Sequence, residues 1–270
     1  MKIREFMDAL YRLTDSDASH YGHTCDTLKA GDPEQPFNGR VASTMFPTPD
    51  VIRAAKEWGA GLLIVHEPTY YDHWDSPETF AAQTGFKRRI LDLKKKLIDE
   101  SGLVIYRYHD HPHYREKDMI SMGEVGRFGL KGRWEKGTRF GLNEYVLDEP
   151  MTPLEIAKTL EKNLDIKHVR IIGSREFPAK RLLLSFGAAG GVETELDHCD
   201  VVLAGEICEW MNGEFVRDCA ALGINRALLV MGHSCSEREG MRLLTDVIRQ
   251  NWPEVEAKYF ESGDVCTYTD

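Results

Sequence analysis

The sequence has no apolar run approaching the roughly 20 residues that a helix needs to cross a bilayer, so no membrane partner is expected. It has no apolar signal core either. Its first stretch, MKIREFMDALYRLTDSD, carries charges throughout and reads as an amphipathic helix with Ile3, Met7, Leu10 and Tyr11 on one face. It is short of positive charge, with 34 Lys and Arg against 44 Asp and Glu, a net −10, and an acidic surface disfavours nucleic acid as a partner. The six cysteines form no CxxC pair, and with no signal core they read as reduced thiols of a cytoplasmic protein. No P-loop lysine motif, dinucleotide fingerprint or G-x-S-x-G elbow is present, which removes the usual sequence grounds for those nucleotide sites and for a serine hydrolase. Low-complexity segments and fixed-period repeats are missing as well.

What is present is an ordinary globular balance, 42% apolar and 29% charged over 270 residues. Short apolar runs alternate with longer amphipathic ones, the pattern of an α/β fold. Strands are expected at Arg40–Phe46, Gly61–Val65, Leu103–Tyr108, Tyr145–Leu147, Val169–Ile172, Arg181–Phe186, Val201–Ala204 and Ala227–Met231. Thr48-Pro49-Asp50 supplies a cap, a proline and an acid at the start of a helix ending near Gly59. Thr152-Pro153-Leu154-Glu155 opens another with a capping box. Phe86, Ile90, Leu93 and Leu97 fall at helical spacing, and Lys87, Arg88, Arg89, Lys94, Lys95 and Lys96 among them read as a solvated face. A last helix is expected from about Ser236 to Gln250. The glycine-punctuated stretch Gly123–Gly141 breaks the pattern and reads as a domain crossing. The expected division is a first α/β domain over 1–128, completed by 230–270, and a second α/β domain over 129–229.

Three expected strands end on chemistry. GLLIV runs into His66-Glu67-Pro68, LVIYRY into His109-Asp110-His111-Pro112-His113, and ALLVMG into His233-Ser234-Cys235-Ser236-Glu237. Ligands in open α/β sheets bind beyond the carboxyl ends of the strands, so neighbouring parallel strands would bring these groups into one crevice. Imidazole mixed with carboxylate suits zinc, iron, manganese or cobalt rather than Ca²⁺ or Mg²⁺. Six candidate ligands exceed the usual four of one zinc, which favours two bridged ions. His109, His111 and His113 alternate on an extended chain, so only some can share a direction. The loop Gly187–Gly191 reads equally as an anion-binding turn and as a tight strand-to-helix turn.

These segments, in this order, resemble the Ngg-one-interacting factor three (NIF-three) family, often labelled GTP cyclohydrolase 1 type 2 homologues. The resemblance rests on Cys25-Asp26-Thr27-Leu28, Gly31-Asp32-Pro33-Glu34-Gln35-Pro36, the Thr48-Pro49 helix start, Gly59–Pro68, Tyr106–His113, Gly187–Gly191, Val201–Glu206 and Gly232-His233 with Glu237. It implies two α/β domains with a two-metal site in the cleft between them, and homo-oligomers in the form of hexamers. It implies ligands at a His-His-Pro motif, at a His with Asp four residues on, and at a His with Glu four residues on. In this chain Glu67 stands in place of the second imidazole and His113 in place of the aspartate, while His233 and Glu237 match in full. The metal ligands expected are therefore His66, Glu67, His109, His113, His233 and Glu237, holding two divalent ions of zinc, iron or manganese. The function expected is a metal-dependent hydrolase acting on a small nucleotide-like or phosphorylated molecule, with His111 or Glu206 as proton carriers. The alternative is a non-catalytic metal-binding scaffold or regulatory protein.

Overall fold

The structure, a computed structural model, describes residues 1–14, 23–115, 117–139, 142–188 and 193–269. The chain forms two compact units, each built on a mixed β-sheet. The first comprises 1–119 and 241–263, the second 120–240 and 264–270. The crossings differ from those expected at 128 and 230. One reason is the role of Gly123, which lies inside a helix instead of breaking one. A Cβ there would meet the Glu239 carbonyl oxygen and the Gly240 nitrogen at 2.4 Å, so the glycine permits close backbone packing.

The first unit contains α1 (Ile3–Thr14), β1 (Leu28–Ala30), β2 (Arg40–Thr44), α2 (Pro49–Trp58), β3 (Leu62–Val65), α3 (Pro77–Ala82), α4 (Gly85–Ser101), β4 (Val104–Arg107) and the single turn α5 (Asp110–His113). In the second, α6 (Met119–Arg127) leads to β5 (Gly132–Arg139), β6 (Leu142–Met151), α7 (Pro153–Leu164), β7 (Arg170–Gly173), β8 (Ala179–Ser185), β9 (Val201–Ala204), α8 (Glu214–Ala221) and β10 (Ala227–Val230). The chain then runs through α9 (Arg238–Asn251) to β11 (Glu256–Tyr259).

In the first sheet the order is β1-β4-β3-β2-β11, with β4, β3, β2 and β11 mutually parallel and β1 antiparallel at the edge. β3 and β4 are buried at every residue, as expected for parallel strands covered on both faces. The Thr48 hydroxyl accepts the Val51 N–H and Gly59 ends α2 at φ 82°, where a side chain would be strained. In α4 the buried positions are Leu91, Lys94 and Ile98, whereas Phe86 and Leu93 are exposed, so the stripe expected from Phe86 is rotated. Lys94 is not on a solvated face: its ammonium lies 5.0 Å over the Tyr71 ring, and burial lowers its pKa to about 8.

In the second sheet the order is β5-β6-β8-β9-β10-β7, with β8, β9 and β10 parallel and the others antiparallel. Alternation divides its strands between two hydrophobic clusters: Leu182, Leu184, Val201, Leu203, Ala227 and Leu229 on one face, Leu183, Val202, Ala204, Leu228 and Val230 on the other. Truncating one of these buried leucines to alanine costs about 2–5 kcal/mol. The capping box of α7 forms as expected, with Thr152 and Glu155 bonding each other's backbone N–H. Residues 231–240, directly after β10, stay with this unit, because the Gly232 N–H donates to the Gly205 carbonyl and the Ser236 hydroxyl accepts from the Gly187 N–H; 241–263 completes the first unit.

Candidate metal centre

β3 and β4 are parallel neighbours, so His66 and His109, just beyond their ends, emerge side by side. β10, which precedes His233, is a strand of the second sheet, so the three strand ends do not share one sheet. The 109–113 segment is not extended. It closes into the one turn α5, and helical geometry turns His113 to the same side as His109, four residues away.

Donor nitrogens of His66, His109 and His113 lie within 4.8 Å of one another. Each ring is braced through Nδ1. The His66 Nδ1 lies 3.1 Å from the Tyr108 carbonyl oxygen, that of His109 lies 3.0 Å from Asp110 Oδ1, and that of His113 lies 2.9 Å from Asp118 Oδ2. A carbonyl or carboxylate oxygen there selects the Nδ1–H tautomer and leaves Nε2 as the donor to a cation. Burial, followed by the neighbouring His109 and His113, holds the His66 imidazole well below its ordinary pKa, which keeps it neutral.

Nε2 of His66 stands 3.3 Å from Nε2 of His113. In these tautomers the two lone pairs face each other, an arrangement that a cation between them stabilises. Ligand atoms about 2.0–2.1 Å from a tetrahedral ion are themselves about 3.4 Å apart, so this spacing fits a divalent metal.

Two further groups hold the cluster in shape. The Asp26 carboxylate accepts the backbone N–H groups of His109 (2.6 Å), Asp110 (2.9 Å) and His111 (2.8 Å), fixing the start of α5. It also meets the His111 Nδ1 at 2.6 Å, and the His111 ring stacks on Tyr11 at 4.2 Å. Arg107 is fully buried; its Nε donates to the His66 carbonyl (2.8 Å), Nη1 to the His73 carbonyl, and Nη2 lies 3.4 Å from Glu67 Oε2. The Glu67 carboxylate therefore has a cationic neighbour within its own unit.

Cys25, His109 and Asp110 also come within ligand range of one another. Burial, opposed by Arg107 and aided by Asp26 and Asp110, pushes the Cys25 thiol well above its ordinary pKa. It stands 3.4 Å from Asp110 Oδ1 as a thiol donor. Burial works to raise the Asp110 pKa, but the bonds from His109, Thr24 and the Cys25 N–H outweigh it and hold the carboxylate ionised.

In the second unit, His233 lies between two carboxylates, its Nδ1 3.3 Å from Glu206 Oε1 and its Nε2 3.3 Å from Glu237 Oε2. Glu237 is buried, with its carboxyl against Gly187, where a Cβ would meet Oε1 at 2.4 Å. Gly187, at φ 60°, thus makes room for the acid. The remainder of the Gly187–Gly191 loop, from residue 189, lies outside the described residues.

The structure thus gathers His66, His109 and His113 in one unit and His233 with Glu237 in the other. The supporting groups Asp110, Asp118, Arg107 and the Tyr108 carbonyl were not foreseen. Asp26 lay inside a fragment that carried the family resemblance, whereas Asp118 has no signal in its spacing.

The model of the Duf34/NIF3 (NGG1p interacting factor 3) family matches residues 1–263. A protein of Clostridium perfringens described as a GTP cyclohydrolase 1 type 2 homolog is 25% identical over 222 residues, 78% of this chain and 77% of its own. Among solved structures, protein ybgI, of unknown function, superposes with a TM-score of 0.75 at 17% identity, covering 98% of this chain and all of its own. Staphylococcus aureus SA1388, described as hypothetical, superposes at 0.74 and 17% identity, over 99% of each chain. The two structures share the fold.

Proposed function

Since the chain belongs to the Duf34/NIF3 family, we propose that it is a metal-dependent hydrolase of a small nucleotide-like or phosphorylated molecule. The observation that carries this reading is the convergence of His66, His109 and His113, each braced at Nδ1 by an oxygen. These imidazoles would hold one divalent ion of zinc, iron or manganese, and His233 with Glu237 would hold a second, with Glu67 as a further carboxylate ligand. Such ions supply Lewis acidity, polarising a substrate oxygen and activating water near neutral pH.

The chain's own residues take the other parts. Glu206, with 57% of its side chain exposed and 3.3 Å from His233 Nδ1, handles the proton exchanged with solvent. His111 is held by Asp26 and Tyr11 and leaves that role. A planar substrate ring is favoured by the loop beyond His66, where Trp74 is 45% exposed and packs against His73 at 4.7 Å, and His73 meets His109 edge-on at 5.9 Å. Arg107, through the His73 carbonyl, and Lys29, through the Trp74 carbonyl at 3.1 Å, hold that loop in place. The name of the Clostridium perfringens relative favours the same substrate class. A small-molecule substrate and a homohexameric assembly complete the proposal.

The test is turnover of purine nucleotides, phosphoesters and cyclic amides by metal-loaded and metal-stripped protein. We expect at least one substrate to be hydrolysed only with metal, and His66→Ala to lower that rate by about a hundredfold or more, as loss of about 3 kcal/mol of stabilisation would. Equal rates with and without metal would overturn the reading. Metal bound at both sites with no turnover of any of these compounds would favour the scaffold alternative.

A further inference from the structure

We propose that Glu144, Glu195, His198 and Cys199 form a separate zinc-type site in the second unit, using one imidazole, one thiolate and two carboxylates. It shares no residue with the centre proposed above and does not depend on it.

The backbone brings these four together. Glu144 lies in β6, paired with Leu183 of β8, and only 7% of the residue is exposed. Glu195 opens a short helical turn, Glu195–Asp197, after which the His198 and Cys199 N–H groups both return to the Glu195 carbonyl. Asp200 anchors the end of the turn to β8. Its carboxylate accepts the Lys180 and Arg181 N–H groups, and its own N–H donates to the Arg181 carbonyl. Glu195 and Cys199 are buried by this arrangement, whereas the His198 side chain is 45% exposed and gives access from solvent.

His198 Nε2 stands 3.2 Å from Glu144 Oε1 and 3.5 Å from Glu195 Oε2. Ligand atoms of Glu144, His198 and Cys199 lie within 4.8 Å of one another. The two nitrogen–oxygen spacings bracket the edge, about 3.4 Å, of a tetrahedron with bonds of about 2.0–2.1 Å, and an edge to sulfur is longer.

The charges point the same way. Arg181 already engages Glu144 through Oε2, at 2.5 Å, and Glu135 at 2.8 Å, so Oε1 of Glu144 is the oxygen that faces the imidazole. Three anionic ligands would exceed the charge of a divalent ion by one, and the Arg181 guanidinium offsets that excess, its other partner Glu135 being balanced by Arg133 at 2.9 Å. A borderline ion such as zinc takes thiolate, imidazole and carboxylate together, whereas calcium and magnesium reject the first two. Burial pushes the Cys199 thiol up to about 12, so the metal-free protein holds it as a thiol. Binding forms the sulfur–metal bond, breaks the S–H bond and sends one proton to solvent. With four protein ligands the site is structural, pinning the 195–199 turn to β6.

The rival is an imidazolium His198 shared between the two carboxylates with no ion. Titrating the metal-free, full-length protein with Co²⁺ separates the two. We expect a near-ultraviolet thiolate-to-cobalt charge-transfer band that rises to a plateau, is displaced by Zn²⁺, and persists in Cys25→Ser and His66→Ala. Cys199→Ser should abolish it, and His198→Ala should weaken binding by about a hundredfold or more, the loss of a ligand amounting to about 3 kcal/mol. No band in the wild-type protein, or a band unchanged in folded Cys199→Ser, would overturn the proposal. If Cys199→Ser does not fold, an undiminished band in His198→Ala, altered only at a half-exposed side chain, would overturn it equally.

Discussion

The imidazole cluster of the first unit and the carboxylate-rich cluster of the second place their rings in opposite surroundings. In the first, His66 and His109 lie just beyond the ends of adjacent parallel strands, His113 lies in the turn that follows, and each ring has a fixed oxygen behind it. In the second, a half-exposed ring faces two buried carboxylates, one of them already paired with Arg181. Bracing at Nδ1 sets the tautomer and the ring plane before any ion arrives, which suits a centre that must hold its geometry while a substrate comes and goes. A set completed by a half-exposed imidazole suits an ion that fastens one turn to a strand. The same contrast holds for charge. Arg107 is wholly buried beside Glu67, whereas the Arg181 side chain is 36% exposed.

The largest difference is expected between the two arginines. Arg107→Met leaves Glu67 without its buried partner and frees the His66 and His73 carbonyls, so the unfolding free energy should fall by about 3–5 kcal/mol. Arg181→Met, at a partly solvated guanidinium, should cost only about 1 kcal/mol. Urea denaturation of both variants measures the difference, and equal losses would remove the distinction drawn here between buried and screened charge. A smaller effect is expected behind the metal. Asp118→Asn keeps an oxygen near His113 Nδ1 but removes its charge, so affinity for zinc at the imidazole cluster should fall about tenfold to a hundredfold. The cobalt band assigned to Cys199 should be unaffected. An unchanged zinc affinity in Asp118→Asn would mean that the bracing at Nδ1 has no energetic role.

The two clusters also differ in how far the sequence reveals them. His66 and His109 were visible because each follows a strand whose uninterrupted apolar run marks it as buried, and chemistry at such strand ends has a structural meaning. His113 was visible too, through the spacing of the family motif, but its placement depended on a helical turn that Pro112 and three histidines do not advertise, and the extended reading of the segment did not give that turn. The second cluster was illegible. Its residues come from positions 144, 195, 198 and 199, brought together by the antiparallel pairing of β6 with β8 and a short turn, and no motif spans them. Glycine misled in one place and informed in another. Gly123 resembled a break but lies in α6, where only a missing Cβ admits the Glu239 and Gly240 backbone. Gly59 ended α2 as expected, because its requirement is local. Lys94 shows the same limit: its burial over Tyr71 depends on the 66–76 loop, which the helical pattern of α4 does not contain.

The most direct test is a crystal structure of the full-length protein grown with zinc, with diffraction recorded on both sides of the zinc absorption edge. We expect an anomalous peak about 2.0–2.1 Å from the Nε2 atoms of His66, His109 and His113, with the three Nδ1 atoms still on Tyr108, Asp110 and Asp118. Zinc-loaded protein with no peak at those nitrogens, or with the rings turned so that Nδ1 faces the ion, would contradict this expectation.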